Sequence, residues 1–315
     1  MKYKIYVDGQ EGTTGLRIHE YLSKRTDLEI LKIDYEKRRD IDERRKFLNE
    51  ADLVFLCLPD AAAKEAASLI KNDRTKVIDA STAHRIHKDW VYGLPEMGRE
   101  QRERIRDSKR VANPGCHSTG FILLVYPLIK LGILPRDYPL TCTSVTGYSG
   151  GGKSLIAKYE DENAPDSINS PKPYGLNLKH KHLPEMKVIP GLDYEPVFLP
   201  IVANFYKGMA VSVPIAVRKL NKKAGAEDVQ KMMAEFYKDE KFIRVMPYGD
   251  DSLLEDGKFL NPEACNDTNR VEISVFGHEE QILLTARFDN LGKGASGAAV
   301  QNMNIMLGFD EDIGL

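Results

Sequence analysis

The chain has 315 residues and a formal net charge of −2 at pH 7, with acidic and basic residues interspersed. This length exceeds the size at which single hydrophobic cores stop growing, so we expect two domains. The balanced charge excludes a nucleic-acid surface, and the apolar runs are too short to span a bilayer. No signal-peptide pattern precedes the first predicted strand, so we expect a cytoplasmic protein with a small-molecule partner. The four cysteines are far apart, which predicts neither a disulfide framework nor a metal site: Cys57, Cys116, Cys142 and Cys265.

The first pattern is a strand, a glycine turn and a helix. Lys2–Val7 alternates in polarity, and a G-x-x-G-x-x-G turn then opens a helical pattern. Glycines let the backbone approach a pyrophosphate, and a helix N-terminus supplies N–H donors to it. We therefore predict a dinucleotide site with these cofactor contacts: Gly9, Gly12, Thr13, Thr14 and Gly15.

The next strand bears on which dinucleotide binds. Leu28–Ile33 is followed by Asp34, which favours a ribose 2′-hydroxyl, and then by the basic run Lys37–Arg39, which favours a 2′-phosphate. We predict NADP, with Arg38 as the contact. The alternative is that the basic run is an ordinary solvated surface.

Further alternation of strands and a helix predicts a doubly wound α/β domain with a parallel sheet core. The segments are Asp52–Leu58, the helix Asp60–Ile70, Lys76–Asp79 and Arg110–Ala112. Ligands bind at the carboxyl ends of such strands. The polar segments at these ends are Gly9–Gly15, Asp79–Arg85 and Asn113–Cys116.

Cys116 is the candidate nucleophile. Pro114 and Gly115 end the preceding strand, and the apolar run from Phe121 predicts a buried helix, so Cys116 should lie at a helix N-terminus. Unpaired N–H groups and the helix dipole lower the pKa of a thiol from about 8.5 at such a position. The alternative is an inert, packed cysteine. The shared sheet edge with the dinucleotide site favours the nucleophile.

A second domain is predicted from about residue 140. Its strand Thr141–Thr146 precedes Gly147–Ser154, which fits the phosphate-loop pattern G-x-x-x-x-G-K-[ST]. A nucleotide triphosphatase would also need a later strand that ends in a magnesium-binding Asp, and the later strands lack one. We therefore interpret the pattern as accidental.

His180 and His182 form an H-x-H pair. On an extended segment, the two rings point to one side, where either ring can serve a cysteine as acid and base. A surface basic loop is the alternative.

The remaining segments predict an α+β domain with a mixed, largely antiparallel sheet and one long helix. They are Val211–Val217, the helix Ala224–Lys238, Val271–Phe276 and Gln281–Arg287. Asp289–Gly308 then predicts a glycine-rich loop and a helix of small residues, which we expect to return to the first domain beside the cofactor.

Seven motifs in this order resemble those of the N-acetyl-gamma-glutamyl-phosphate reductase family of the shorter type, relatives of aspartate-semialdehyde dehydrogenase. They are Asp8–Gly15, Asp79–Arg85, Trp90–Glu96, Asn113–Gly120, Gly147–Lys153, His180–Glu185 and Asn290–Asn302. The resemblance implies NADPH-dependent reduction of an acyl phosphate to an aldehyde in arginine biosynthesis, with release of inorganic phosphate and Cys116 as nucleophile. His117 departs from the tyrosine that the family often has there.

The resemblance also implies the site and the domains. Glu185 would orient one of the two candidate rings, and the substrate would meet Arg85, Asn113, Ser149, Lys179 and Lys181. Further cofactor contacts would be Ser81, Gly150, Gly151, Asn290 and Gly294. A Rossmann-type NADP domain (residues 1–115 and 290–315) would join a catalytic and oligomerisation domain (residues 116–289) in a homodimer or homotetramer. The rival hypotheses are an enzyme for another acyl phosphate, such as aspartyl phosphate, and a dinucleotide-binding sensor without chemistry.

Overall fold

The computed structural model describes residues 2–315, which divide into two units. One unit holds the chain up to Gly115 together with Ala295–Leu315, and the other holds Cys116–Gly294. Within residues 2–315, every helix is too short or too polar to cross a membrane.

The first unit is built on a six-stranded sheet in which all pairs of neighbours are parallel, in the order β2-β1-β3-β4-β6-β5. The prediction of a doubly wound α/β domain is confirmed. Its strands are β1 (Tyr3–Asp8), β2 (Leu28–Leu31), β3 (Leu53–Leu56), β4 (Lys76–Asp79), β5 (Val91–Tyr92) and β6 (Arg110–Ala112). The helices between them are α1 (Thr13–Ser23), α2 (Ile41–Glu50), α3 (Asp60–Leu69) and α4 (Arg99–Asp107).

Two hydrophobic clusters cover the two faces of this sheet. Successive side chains of a strand point to opposite faces, so Ile5 and Val7 of β1 join one cluster while Tyr6 joins the other. The first cluster includes Ile18 of α1, and the second includes Leu48 of α2. Burial on both faces explains why β3 is continuously apolar, with the sequence Leu-Val-Phe-Leu.

The C-terminal segment Ala295–Leu315 belongs to the first unit. The helix α9 (Gly297–Leu307) packs against α1, α4 and β4. Ala299, Val300 and Met303 join the cluster that contains Ile5. The small side chains at the start of α9 permit this close packing.

The second unit is built on a seven-stranded mixed sheet in the order β11-β12-β13-β10-β7-β9-β8. Its strands are β7 (Thr141–Gly147), β8 (Lys172–Pro173), β9 (Val197–Ala203), β10 (Met209–Ala216), β11 (Ile243–Val245), β12 (Val271–Gly277) and β13 (Gln281–Phe288). Its α-helices are α5 (Cys116–Lys130), α6 (Lys153–Tyr159), α7 (Leu183–Val188) and α8 (Ala226–Tyr237). The α+β prediction is confirmed.

The helix α5 lies against β10 and β13 and is apolar on nearly all sides, as a buried helix should be. Pro127 stands inside it and has no N–H, so it cannot bond the carbonyl of Leu123 one turn earlier. The Tyr237 hydroxyl of α8 donates to that carbonyl at 2.7 Å. A side chain thereby satisfies the acceptor that the proline leaves.

Candidate active site

Cys116 is the first residue of α5, so the predicted helix N-terminus is confirmed. The turn Asn113–Gly115 separates it from the end of β6. Gly294 lies directly against it: a Cβ added at Gly294 would be 2.9 Å from the Cys116 Cβ. Gly294 stands in a π-helical turn, Gly292–Ser296, and its N–H donates to the Asp289 carbonyl at 3.0 Å. The absence of a side chain at Gly294 therefore makes room for the cysteine.

Three imidazole rings meet within the second unit, and one of them, His117, directly follows the cysteine in sequence. The ring centroids of His180 and His182 are 4.7 Å apart, and that of His117 is 5.6 Å from the first and 5.5 Å from the second. Phe198 of β9 lies edge-on to His117 and His180, at 5.2 and 5.1 Å. The convergence of His180 and His182 is as predicted, and His117 is the third member.

The prediction that His180 and His182 stand on an extended segment is wrong. The segment is a turn, in which Leu178 has a φ of 56° and His182, in the right-handed helical region, is the N-cap of α7. Pro184 in the first turn favours this helix start, because its fixed φ suits that position. The His182 N–H donates to the His180 Nδ1 at 3.2 Å. The turn, and not the alternation of a strand, brings the rings together.

His117 is a site candidate that the sequence reasoning did not select. Its Nδ1 lies 2.8 Å from the Ser144 Oγ of β7, and its Nε2 lies 3.0 Å from the Tyr174 Oη. Burial, and secondarily the nearby His180 and Lys181 charges, lower the pKa of His117 to about 3. The ring is therefore neutral at pH 7. The sequence signal that points to His117 is its position directly after the candidate nucleophile.

The pKa of Tyr174 is sensitive to the charge of Cys116. Burial raises the pKa of Tyr174, and the negative charge of Cys116 raises it further. The phenol thus stays protonated next to a potential thiolate, and it remains a hydrogen-bond donor.

Glu185 lies in the first turn of α7 and is buried, with 1% of its surface exposed. Lys179 and Lys181 on the preceding turn are both exposed. The segment therefore presents two cations to solvent and keeps its carboxylate and its second histidine inside.

The glycine turn after β1 has the local geometry that a dinucleotide site requires. A Cβ at Gly9, whose φ is +89°, would overlap the Cys57 carbonyl oxygen, and one at Gly15 would lie 2.5 Å from the Gly9 carbonyl oxygen. These two glycines are needed by the fold itself. At Gly12, by contrast, the added atom would be 3.6 Å from the nearest neighbour. The space there suits the close approach of a ligand.

The N-terminus of α1 is suited to bind an anion. Its N-cap is Gly12, and among residues 2–315 no side chain caps the N–H groups of its first turn. Thr13 and Thr14 in that turn are uncharged, so the first turn itself carries no negative charge that would repel a phosphate. The residues present therefore fit the pyrophosphate of a dinucleotide.

The two candidate ribose contacts after β2, Asp34 and Arg38, have different environments. The Asp34 carboxylate accepts the Glu36 N–H at 3.1 Å, so it caps a short 3₁₀ turn. The Arg38 guanidinium lies 3.4 Å above the Tyr35 ring, and its Nε is 3.6 Å from the Glu11 carboxylate of the glycine turn. A cation thus stands beside the turn while the acidic residue is engaged by the backbone.

At the end of β4, Asp79 organises a buried network. It accepts hydrogen bonds from the Ser81 N–H and Oγ at 2.9 and 2.8 Å, and its Oδ2 lies 2.6 Å from the His84 Nδ1. The His84 ring is stacked on Trp90 at 4.0 Å. Ser81 is therefore held by its neighbours at the carboxyl end of the sheet.

The predicted substrate contacts Arg85 and Asn113 are buried and bound to their own unit. The Arg85 Nε donates to the Asn113 carbonyl at 3.0 Å, and its Nη2 donates to the Ala80 carbonyl at 3.3 Å. The Asn113 amide donates to the Ala295 carbonyl at 2.9 Å. Two of the guanidinium nitrogens thus tie together the ends of β4 and β6.

The glycine-rich loop after β7 is anchored by Ser149 and Asn290. The Asn290 Nδ2 donates to the Ser149 Oγ at 3.0 Å, and its Oδ1 accepts the Gly208 N–H at 2.8 Å. A Cβ at Gly151 would overlap the Leu155 side chain, whereas one at Gly150 would be 3.5 Å from its nearest neighbour. Gly150 therefore has room for a side-chain atom, so the fold itself does not require glycine at this position.

Within the described part of the chain, no group of three or more His, Cys, Asp or Glu side chains is placed to hold a metal ion.

Comparison with protein families gives two matches in chain order. Residues 10–105 match the model for the semialdehyde dehydrogenase NAD binding domain, and residues 116–290 match the model for the semialdehyde dehydrogenase dimerisation domain.

Solved structures with the same fold include a probable aspartate-semialdehyde dehydrogenase from Pseudomonas aeruginosa, with a TM-score of 0.72 over 98% of this chain and 99% of that one. Aspartate semialdehyde dehydrogenase II from Vibrio cholerae has a TM-score of 0.70, also over 98% and 99%. Their sequence identities are 15% and 16%, so this likeness shows the fold alone.

Curated relatives are far closer in sequence. N-acetyl-gamma-glutamyl-phosphate reductase 2 from Nostoc sp. is 49% identical, over 100% of this chain and 99% of the relative. N-acetyl-gamma-glutamyl-phosphate reductase from Chelativorans sp. is 46% identical, over 98% and 99%. With this identity over the full length, the chain belongs to the N-acetyl-gamma-glutamyl-phosphate reductase family of the semialdehyde dehydrogenases.

Proposed function

We propose that the protein reduces N-acetyl-L-glutamyl 5-phosphate to N-acetyl-L-glutamate 5-semialdehyde with NADPH, a step of arginine biosynthesis. The observation that carries this proposal is the full-length identity of 46–49% to reductases named for this substrate. The site supports it, because the cysteine at a helix N-terminus directly precedes His117, whose ring meets those of His180 and His182.

Cys116 is the proposed nucleophile. Its thiolate attacks the acyl carbon, the bond from carbon to the phosphate oxygen breaks, and inorganic phosphate leaves a thioester on the sulfur. A bound nicotinamide dinucleotide supplies the hydride that reduces the thioester carbon. The resulting thiohemiacetal on Cys116 collapses, which releases the aldehyde and restores the thiolate. The N-terminal N–H groups of α5 stabilise the negative sulfur at both ends of this cycle.

His180 is the proposed acid and base. It is only partly buried, so it can exchange protons with water, whereas His182 is buried. In its doubly protonated form the ring would protonate the departing phosphate and, after it regains a proton from water, the thiohemiacetal oxygen. In its neutral form it would take the second proton back on collapse. Glu185 would orient the His182 ring as part of the same segment.

The protein binds a nicotinamide dinucleotide, and we assign NADP over NAD. Gly9, Gly12 and Gly15 form the turn for the pyrophosphate, with Thr13 and Thr14 at the start of α1. Arg38 would pair with the 2′-phosphate, since its guanidinium lies beside the glycine turn, 3.6 Å from the Glu11 carboxylate. The other proposed cofactor contacts are Ser81, Gly150, Gly151, Asn290 and Gly294.

The substrate carries a carboxylate and a phosphate, so it needs cations. The exposed Lys179 and Lys181 would attract the carboxylate. Arg85 and Asn113 would complete the phosphate site at the end of β6, with Ser149 as a further donor. Two of the Arg85 nitrogens bind backbone carbonyls. Arg85 would therefore also contribute to the phosphate site by holding the end of β6 in place.

We propose that the second unit assembles the protein into a homodimer or homotetramer. This unit matches a dimerisation domain model, and three apolar side chains of its sheet, Val197, Leu199 and Leu283, are exposed. Large apolar side chains on one unit's sheet are a common basis for an interface.

The test of the proposed function is a comparison of substrates in the oxidative direction with phosphate and NADP⁺. We expect the rate with N-acetylglutamate semialdehyde to exceed that with aspartate semialdehyde, the same-class alternative. Cys116→Ser should abolish turnover and leave NADPH binding intact. A higher rate with aspartate semialdehyde would overturn the substrate, and turnover by the serine variant would overturn the mechanism.

A further inference from the structure

A groove of about 540 Å³ lies between the C-terminal end of α5 and the helix α8, within the second unit. We name it the α5–α8 groove. A volume of this size is within the range of small-molecule sites in proteins. Most of the side chains that line it are apolar: Leu131, Ile133, Ala224, Met232 and Phe236.

Contacts between its walls hold the groove open in the protein alone. The Phe236 ring of α8 packs edge-on against Tyr126 of α5, with centroids 6.3 Å apart. The Lys130 Nζ lies 5.4 Å from the Tyr126 centroid and 5.9 Å from that of Phe236. The Lys222 Nζ donates to the Leu131 carbonyl at 3.2 Å, which ties the loop before α8 to the end of α5. The groove is therefore formed before any ligand arrives.

The rim of the groove carries an excess of positive charge. Lys231 is paired with Glu227 at 2.8 Å, and Glu235 is paired with Lys238 at 2.6 Å, so these two pairs are neutral. The excess comes from the two exposed lysines of the loop before α8. The charged residues that line the groove are Lys222, Lys223, Lys231 and Glu235.

The groove is separate from the open face of the seven-stranded sheet. A Cβ at Gly120 of α5 would lie 2.6 Å from the Val211 side chain, so α5 covers the face to which Val211 points. Pro214 is three positions further along β10 and points to the opposite face, as does the exposed Leu283 that pairs with it. The groove is thus on the helix-covered side, away from the proposed interface between copies.

The groove is also separate from the nucleophile. Cys116 is the first residue of α5, and Leu131 of the groove follows its last residue, Lys130. A helix of 15 residues is about 22 Å long. A molecule in the groove therefore leaves the Cys116 end of α5 open.

We propose that the α5–α8 groove binds an amphipathic organic anion, a carboxylate or sulfonate on an aliphatic or aromatic body. The body covers the exposed apolar side chains, of which Leu131 and Met232 are the most central, and so removes them from water. The anionic group stays at the rim, where Lys223 pairs with it. A neutral molecule of the same shape lacks this pairing. The proposal goes beyond the reductase activity and does not depend on it.

The first test is titration of the native protein with 8-anilinonaphthalene-1-sulfonate, an anion with an aromatic body that fluoresces in apolar sites. NADPH is present in excess, because a cofactor cleft could also take up the probe. We expect saturable binding that NADPH leaves in place. Octanoate should displace the probe, and 1-octanol should need a concentration about 3- to 5-fold higher, since it has no charge to pair.

Substitutions then locate the binding. Lys223→Gln, at an exposed residue, should raise the Kd of the probe by about 2- to 5-fold, whereas Lys258→Gln, at another exposed lysine of the same unit, should leave it unchanged. Met232→Glu places a carboxylate in the groove and should raise the Kd by roughly tenfold or more. Met232→Gln has the same size without the charge and should raise it by only about 2- to 3-fold.

Lys223→Gln keeps the proposal testable if the substitutions at Met232 prevent folding, because the Lys223 side chain is exposed. The proposal is overturned if NADPH removes all of the bound probe, if octanol and octanoate are equally effective, or if the variants bind the probe as the native protein does. A change of oligomeric state in Met232→Glu, measured by light scattering, would also overturn it, because the groove would then be an interface between copies.

Discussion

Gly12→Ala should weaken cofactor binding without weakening the fold. Gly12 has φ −68° and ψ 157°, which alanine adopts readily, and its added Cβ would lie 3.6 Å from the nearest atom of the protein. The substitution should therefore change the free energy of unfolding by about +0.4 to +1 kcal/mol, through the unfolded chain. In the complex, the methyl group would occupy the space of the pyrophosphate. Overpacking of about 1–3 kcal/mol corresponds to a Kd for NADPH that is roughly 5- to 150-fold higher.

The neighbouring glycines supply the contrast. Gly9→Ala and Gly15→Ala place their Cβ against backbone oxygens, so both should lower Tm even without cofactor. The assay is fluorescence titration of NADPH, together with thermal unfolding of each cofactor-free variant. Native affinity for NADPH in a folded Gly12→Ala protein would refute the assignment of this turn to the pyrophosphate.

Three further predictions concern other residues. Gly294→Ala should lower kcat, because the new Cβ displaces the Cys116 side chain that lies 2.9 Å away; unchanged steady-state kinetics would contradict this. Arg38→Gln should raise the Kd of NADPH by about tenfold or more and leave that of NADH nearly unchanged, as isothermal titration would measure; equal losses for both would exclude a 2′-phosphate contact. Because the pKa of His117 is about 3 when folded and about 6.5 when unfolded, only the unfolded chain binds this proton between those values. The free energy of unfolding from urea titrations should therefore fall by about 2 kcal/mol more between pH 7 and pH 5 in the native protein than in a folded His117→Gln variant, and parallel curves would contradict the lowered pKa.

The first unit was predictable because its signals are local. Its strands are short segments rich in apolar residues and bounded by glycine, proline or polar residues, and strands buried on both faces favour that composition. Cys116 was placed at a helix start by the Pro114-Gly115 turn before it and the apolar run after it. The bounds of β4 and β6 agree with the prediction to the residue.

The parts that sequence reasoning missed depend on contacts far apart in the chain. His117 looks like any second residue of a helix, and its ring contacts Ser144 and Tyr174, which lie 27 and 57 residues away. The sequence predicts an extended segment at His180–His182, because alternation explains a converging pair equally well. Pro184 was the local signal against that interpretation. The resemblance places Arg85 at the substrate, and the sequence does not show that its guanidinium binds two backbone carbonyls.

The most direct test of the Cys116 thioester is a burst experiment without phosphate. Native protein is mixed with N-acetylglutamate semialdehyde and NADP⁺, and NADPH formation is followed by absorbance. The thiohemiacetal transfers one hydride to NADP⁺ and becomes a thioester, and the thioester needs phosphate to react further. About one NADPH should therefore form per chain before the reaction stops. Added phosphate should restart it. Steady NADPH formation without phosphate, or no burst before phosphate is added, would contradict the thioester.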